Sequence, residues 1–291
     1  MSTVDTAPTA VRHRSGVWRK LRRHRLFMTG LVLFSIVLLL ALLADVIVQH
    51  DPNQNNFRYR LGEPNLTHWL GTDNYGRDIF SRIAYGSRVS LRIAVMVVLT
   101  TGLLGVLLGA LAGYFQRLDN VLMRTMDGLM AFPGILLAIA LAAVLGPSEI
   151  NAVIALTIAY TPRTARIVRA AVLVVRGMEY VEAALACGAS HLRILWRHIL
   201  TNSLAPLIVQ LTFIFAYAIL AEAVLSFIGV GPPPPTPSWG NIIADGRSYI
   251  PEAPWISLFP GIAIALTVLG LNLLGDGLRD VLDPRMQVEV R

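Results

Sequence analysis

His68, Asp73, Arg77 and Asp78 crowd one short polar stretch of the chain. A histidine beside two carboxylates is a set that could ligate a divalent metal or pass a proton. Gly71 and Gly76 sit among them, however, and Asp at such spacings commonly builds turns whose side chains cap the backbone. The capping reading is adopted for this stretch. Within the apolar parts of the chain Glu222 is the main ionisable residue, and Asp45 lies near the end of the first apolar run. A proton-coupled carrier needs a relay of acids, bases or histidines inside the membrane, and one glutamate is thin support for that. The motifs of self-contained enzymes are missing: there is no GxxxxGK[ST], no HExxH and no GxSxG. The single cysteine, Cys187, excludes an intrachain disulfide and a cysteine-cluster metal site. If the chain moves a solute uphill, the energy comes from elsewhere.

The elements that must position these residues are apolar. The chain has 291 residues, 55% hydrophobic and 15% charged, with a mean hydropathy of +0.60. Apolar content gathered into runs of about 20 residues means a bilayer, not one large soluble core. The runs cover residues 26–48, 90–115, 128–145, 150–168, 204–228 and 256–274. The first is longer than the apolar region of a cleaved signal peptide and lacks a clean cleavage site. The expected fold class is therefore an all-α membrane protein with six transmembrane helices. Its parts are a basic segment (1–25), a first transmembrane helix (26–48), an extracytoplasmic segment (49–88), a core of five transmembrane helices (89–278) and a tail (279–291). The core includes a polar loop at 176–202 and a Pro-rich extracytoplasmic loop at 229–256. The net charge of +7 fits basic loops beside a membrane and not nucleic-acid binding.

Local signals refine this plan. Gly105, Gly109 and Gly113 are four apart, so another helix can approach their face closely in lipid. Pro133, near the start of the third run, either kinks a helix or marks a break that lines a cavity. Arg163, Arg166 and Arg169 fall on one side of a helix and either snorkel to phosphates or face a partner. Six helices put both termini on one side. With the N-terminus inside, 18 Lys/Arg residues are inside and seven outside, which favours cytoplasmic termini.

That topology puts residues 179–206 in the cytoplasm, where ATP is. Tyr180–Cys187 has helical composition, with Val181, Ala184 and Leu185 as an apolar stripe. Gly188 permits positive φ. Ser190 can cap a second helix whose apolar face is Leu192, Leu195, Trp196 and Ile199. The product is a helix–turn–helix. Either it only links two spans, or its tip inserts into a groove on a partner, with Glu182 and Arg193 fixing the register.

Four motifs, in order, carry a resemblance. Glu182-Ala183-Ala184 with Gly188 and Ile199-Leu200 resembles the EAA loop of ABC importer permeases. Gly71-Thr72-Asp73, Gly76-Arg77-Asp78 and Ser81-Arg82 look like the GTDxxGRDxxSR element of peptide permeases. Residues 222–229, with the prolines after them, are similar to the same family. So are residues 272–280 with Asp283-Pro284-Arg285. From about residue 20 to residue 286 the chain resembles the C-type permease subunit of dipeptide and oligopeptide importers. One departure is Thr201, where these permeases commonly carry proline.

The resemblance implies a type I ABC importer transmembrane domain in a bacterial cell membrane. It implies a second permease subunit, two cytoplasmic ATPase subunits or domains that hold ATP and Mg, and an extracytoplasmic substrate-binding protein. This chain itself would hold no cofactor and no metal. Glu182, Ala183, Ala184, Gly188, Ala189 and Arg193 would couple it to the ATPases without bond chemistry. Glu222, Ser226 and Pro133 would line the translocation pathway, with Glu222 either a gate or peptide-amine contact or a polar residue satisfied by a neighbouring helix. The implied cargo is a dipeptide or short oligopeptide. The alternatives are glutathione, a nickel chelate or, from a different class, a self-sufficient secondary carrier.

Overall fold

Lipid offers no hydrogen bonds to the backbone, so the apolar runs must satisfy their own peptide groups as helices. The computed structural model, which describes residues 16–282, is almost wholly helical, with no strand among the described residues. Arg12, Arg14 and the Asp283-Pro284-Arg285 motif lie outside the described residues. The helices are α1 (Gly16–Arg23), α2 (Arg25–Leu42), α3 (Ala44–Ile47), α4 (Ile79–Tyr114), α5 (Gln116–Met130), α6 (Gly134–Leu145) and α7 (Glu149–Arg176). They continue as α8 (Glu179–Ala186), α9 (His191–Arg193), a π-helical stretch (Ile194–Leu200), α10 (Leu204–Phe227), α11 (Trp239–Gly246) and α12 (Trp255–Leu282).

All six apolar runs are helical, but they differ in how they cross. Four helices, α2, α4, α10 and α12, are long and apolar enough to span a bilayer. The third run does not make a through-going helix. Its α6 has 12 residues, about 18 Å at the α-helical rise, and it meets α5 at an 87° bend across residues 131–133. Pro133 sets this bend, since a proline cannot donate to the preceding turn. The pair counts as a fifth span only if taken together. The helix α7 has 28 residues, and its arginines lower its apolar character.

The helix α4 also begins before its apolar run. Asp78 caps it, accepting from Ser81 N at 2.8 Å, and so draws residues 79–88 of the polar segment between the first two apolar runs into helix. The glycine face of α4 packs on α7. A Cβ on Gly109 would lie 2.4 Å from Ala165 O, and one on Gly113 would lie 2.8 Å from Val172 Cβ. The close approach expected from the spacing is therefore realised, and Thr100 and Thr157 share a 2.6 Å hydroxyl hydrogen bond across the same contact. A second small-residue contact joins the first and last long helices: a Cβ on Gly30 of α2 would stand 2.6 Å from Gly270 O of α12. Between these pairs α10 packs against α4, α7 and α12.

The arginines of α7 find their partners inside the chain. Arg166 pairs with Asp127 at 2.6 Å, and Arg169 clamps Asp119 with two guanidinium nitrogens. Both acids belong to α5, which is thereby tied along the α7 surface. Arg163 stacks on Tyr217.

Candidate functional sites: a helical hairpin and a cleft at the opposite end

The hairpin at 179–200 is built from its turn outward. Gly188 has φ of +80°, a conformation costly for residues with a Cβ. Gly188 N–H donates to Leu185 O at 2.9 Å and Ala189 N–H to Ala184 O at 3.1 Å. These two bonds close a Schellman turn on α8, so Ala184, Gly188 and Ala189 define the reversal of the chain. Asn202 braces the two arms by donating to Tyr180 Oη at 3.1 Å and to His198 O at 2.6 Å.

The second arm differs from the expectation. Ser190 precedes α9, but its side chain makes no cap hydrogen bond. From Ile194 the arm is π-helical, with i→i+5 bonding. Residues five apart then share a face, so Ile194, Ile199, Leu195 and Leu200 are buried. Leu192 and Trp196, expected on the apolar face at α-helical spacing, are instead 68% and 62% exposed. Thr201, at the position where proline was expected, donates to Trp196 O five residues back. The arm then continues through Thr201 and Asn202 towards α10.

The buried face of the hairpin joins Val181 to Ala110 and Tyr114 of α4 and to Val168, Val172 and Val175 of α7 in one small apolar cluster. Tyr114 Oη and His191 Nδ1 share a hydrogen bond at 2.6 Å. Arg176 donates to Tyr114 O at 3.0 Å and stacks on its ring. The other face is open: Glu182, Ala183, Leu185, Leu192, Arg193 and Trp196 are exposed. Among the described residues neither Glu182 nor Arg193 has an ion-pair partner.

At the opposite end, the polar stretch read first in the sequence forms a buried ionic network. Asp78 binds His68 Nδ1 at 2.9 Å while capping α4. Asp73 accepts from Arg77 Nε at 2.6 Å and from Arg82 Nη1 at 2.5 Å. Asp245 of α11 completes the set, accepting from Arg77 at 2.8 Å and Arg82 at 3.0 Å. Among the described residues there is no His/Cys/Asp/Glu group able to hold a metal. Gly76 is fixed by this geometry, since φ is +72° and a Cβ would fall 1.8 Å from Asn56 O.

This network borders a cleft of about 510 Å³ lined by Arg77, Arg82, Ser226, Asn241, Asp245 and Arg247, with prolines 232, 234 and 235 at its rim. Glu222 lies beneath it at 0% exposure, accepting from Ser226 Oγ at 2.6 Å. Ser226 therefore reaches the cleft and Glu222 does not. Pro133 is exposed at the α5–α6 bend, far along the chain from the cleft lining. Sequence reasoning missed Asp245 and Arg247. The available signal was indirect: Arg82 sits in a helix that must be buried, and Asp245 is one of only two acids between residues 229 and 256.

Comparison with known proteins covers nearly the whole sequence. The family described as binding-protein-dependent transport system inner membrane component matches residues 105–288. The N-terminal TM domain of oligopeptide transport permease C matches residues 15–66. A putative peptide transport system permease protein of Brucella abortus is 57% identical over 93% of this chain and 92% of its own length. The dipeptide transport system permease protein DppC of Alkalihalophilus pseudofirmus is 45% identical over 96% of this chain and 92% of its own. The glutathione transport system permease protein GsiD of Pectobacterium atrosepticum is 44% identical over 93% and 90%. Among solved structures, a chain of the MetNI methionine ABC transporter superposes with a TM-score of 0.56 at 20% identity, covering 67% of this chain and 94% of that one. These matches over nearly the whole sequence place the chain in the binding-protein-dependent transport system inner membrane component family, as a multi-pass permease subunit of a bacterial ABC importer.

Proposed function

We propose that the chain is the C-type permease subunit of a peptide importer and that the 179–200 hairpin delivers the work of partner ATPases to it. The observation that carries this reading is the two-sided hairpin. One face is locked into the ends of α4 and α7, and the other presents Leu192 and Trp196 at 68% and 62% exposure. A large exposed apolar tip beside unpaired Glu182 and Arg193 suits a groove in a partner. ATP and Mg belong to that partner, because this chain has no phosphate-binding glycine loop. Glu182, Ala183, Ala184, Gly188, Ala189 and Arg193 seat the tip and perform no bond chemistry.

The charge asymmetry of the loops supports cytoplasmic termini, with the hairpin inside and the cleft outside. A second permease subunit completes the pathway, and an extracytoplasmic binding protein supplies the cargo to the outer face. Closure of the ATPases then drives the two hairpins together and opens the pathway outward; hydrolysis resets it. Ser226 lines the outer mouth, Glu222 supports it from below, and Pro133 forms the elbow between α5 and α6. The cargo is a dipeptide or short oligopeptide, since relatives are named for peptide transport and, in several cases, for dipeptides. Glutathione, itself a peptide, is the second reading because of the glutathione permease at 44% identity.

The test is co-purification. Tagged chain, expressed with its partner subunits, retains the ATPases, and Trp196→Asp loses them while still inserting in the membrane. Full ATPase retention by Trp196→Asp would remove the docking role from this tip.

A further inference from the structure

The ionic network at the outer cleft holds more donors than it uses. Arg77 and Arg82 are balanced by Asp73 and Asp245. Yet Arg82, only 2% exposed, keeps its Nε without a partner while lining the cleft. An unpaired buried guanidinium N–H is costly unless something polar reaches it. Arg247 is a third guanidinium on the same wall. It has no ion pair among the described residues, and Phe227 holds it at 5.9 Å from the ring centroid. Asp245, 34% exposed, uses Oδ2 for both arginines and leaves Oδ1 without a hydrogen bond. One wall therefore offers an uncommitted cation and an uncommitted carboxylate oxygen. The volume, about 510 Å³, lies in the range of small-ligand sites.

We infer that this cleft is a binding site for a free peptide with both termini charged, its carboxylate on the Arg247 guanidinium and its ammonium on Asp245 Oδ1. The inference rests on the peptide-importer reading and on the cleft facing outward. Arg is suited to a terminal carboxylate because its fork matches the two oxygens. Asp245 is pre-positioned by Arg77 and Arg82, so its free oxygen is aimed before cargo arrives. The site recognises the two ends of a peptide and leaves its side chains unread.

The experiment uses the complete transporter with its partner permease and ATPases, in lipid nanodiscs and without binding protein. Labelled alanyl-alanine and its C-terminal amide are titrated by equilibrium dialysis against the unmodified complex, Arg247→Gln and Arg247→Lys. Alanyl-alanine is expected to bind saturably, about tenfold more weakly to Arg247→Gln, the size of one charged hydrogen bond, with partial recovery in Arg247→Lys. The amide is expected to bind all three alike. Equal affinity of the acid for unmodified and Arg247→Gln complexes, equal binding of acid and amide, or no saturable binding would each overturn the site. In a parallel pull-down with the binding protein added, if Arg247→Gln weakens its attachment while alanyl-alanine binding is unchanged, the carboxylate belongs to that protein and the inference is also overturned. Failure of the underlying reading looks different: the unmodified complex then carries no ATPase.

Discussion

Tyr114, the last residue of α4, shares a 2.6 Å hydrogen bond with His191, the first residue of α9. The C-terminal end of the glycine-faced helix is thus bonded to the second arm of the hairpin, just past its turn. Arg176, at the end of α7, holds the same tyrosine through its carbonyl. The hairpin therefore meets α4 and α7 through this tyrosine as well as through the apolar cluster around Val181.

Tyr114→Phe removes the hydroxyl and keeps the ring, a loss of about 1 kcal/mol from this joint. The fold and ATPase attachment should survive, while peptide moved per ATP hydrolysed falls. Parallel measurement of uptake and phosphate release in proteoliposomes checks this. An unchanged ratio would show that the bond carries no force.

Gly188 separates conformation from contact, because nothing lies within 4 Å of a Cβ built there. Asn, which tolerates positive φ, should preserve transport at Gly188, and Val should impair it by about 1–2 kcal/mol of backbone strain. Gly188→Pro also deletes the N–H that bonds Leu185 O, and it should abolish uptake without affecting insertion. Glu182→Lys should do the same by reversing an exposed charge on the hairpin face proposed to dock. Uptake assays on membrane fractions matched for protein level decide each case.

Asp73 is fully buried between two guanidiniums. Asp73→Ala should destabilise the protein by about 3–5 kcal/mol, because it strands buried positive charge. Thermal unfolding in detergent should show a lower midpoint than for Arg247→Gln, whose guanidinium has no ion pair among the described residues. Equal midpoints would mean that the network is not a stabilising brace.

Gly109→Ala drives a methyl group to 2.4 Å from Ala165 O and should cost about 1–3 kcal/mol by overpacking. Gly128→Ala in α5 meets nothing within 4 Å and should be neutral or stabilising by up to about 1 kcal/mol. The two substitutions have the same chemistry, so opposite shifts in detergent stability would isolate helix approach as the cause.

The parts legible in sequence are those governed by local rules. Apolar runs gave helices, the Gly105–Gly113 spacing gave the α4–α7 contact, and Gly188 gave the turn. What escaped depends on partners distant in the chain. Asp245 meets Arg82 across 163 residues, and no periodicity reports such a pairing. The π-helix at Ile194–Leu200 escaped because its residues also fit an α-helical face; only burial of Ile194, Ile199 and Leu200 distinguishes the two registers. The early start of α4 was hidden by Arg82 and Arg88, charges that looked external and are in fact paired. The sharp bend before α6 was half visible, since Pro133 marked its place but not its angle.

The contact between α2 and α12 has a consequence in time. Gly30 rests on Gly270 and Phe27 on Gly277 with almost no clearance, yet some 240 residues separate the partners, and the ribosome delivers about 5–20 residues each second. The first long helix thus enters the bilayer and stands with an empty groove for about 10–50 s, until the last arrives. During that interval its small-residue face is open to any other helix in the membrane. A subunit built this way waits for α12, and a ribosome that stalls before α12 leaves the face of α2 uncovered.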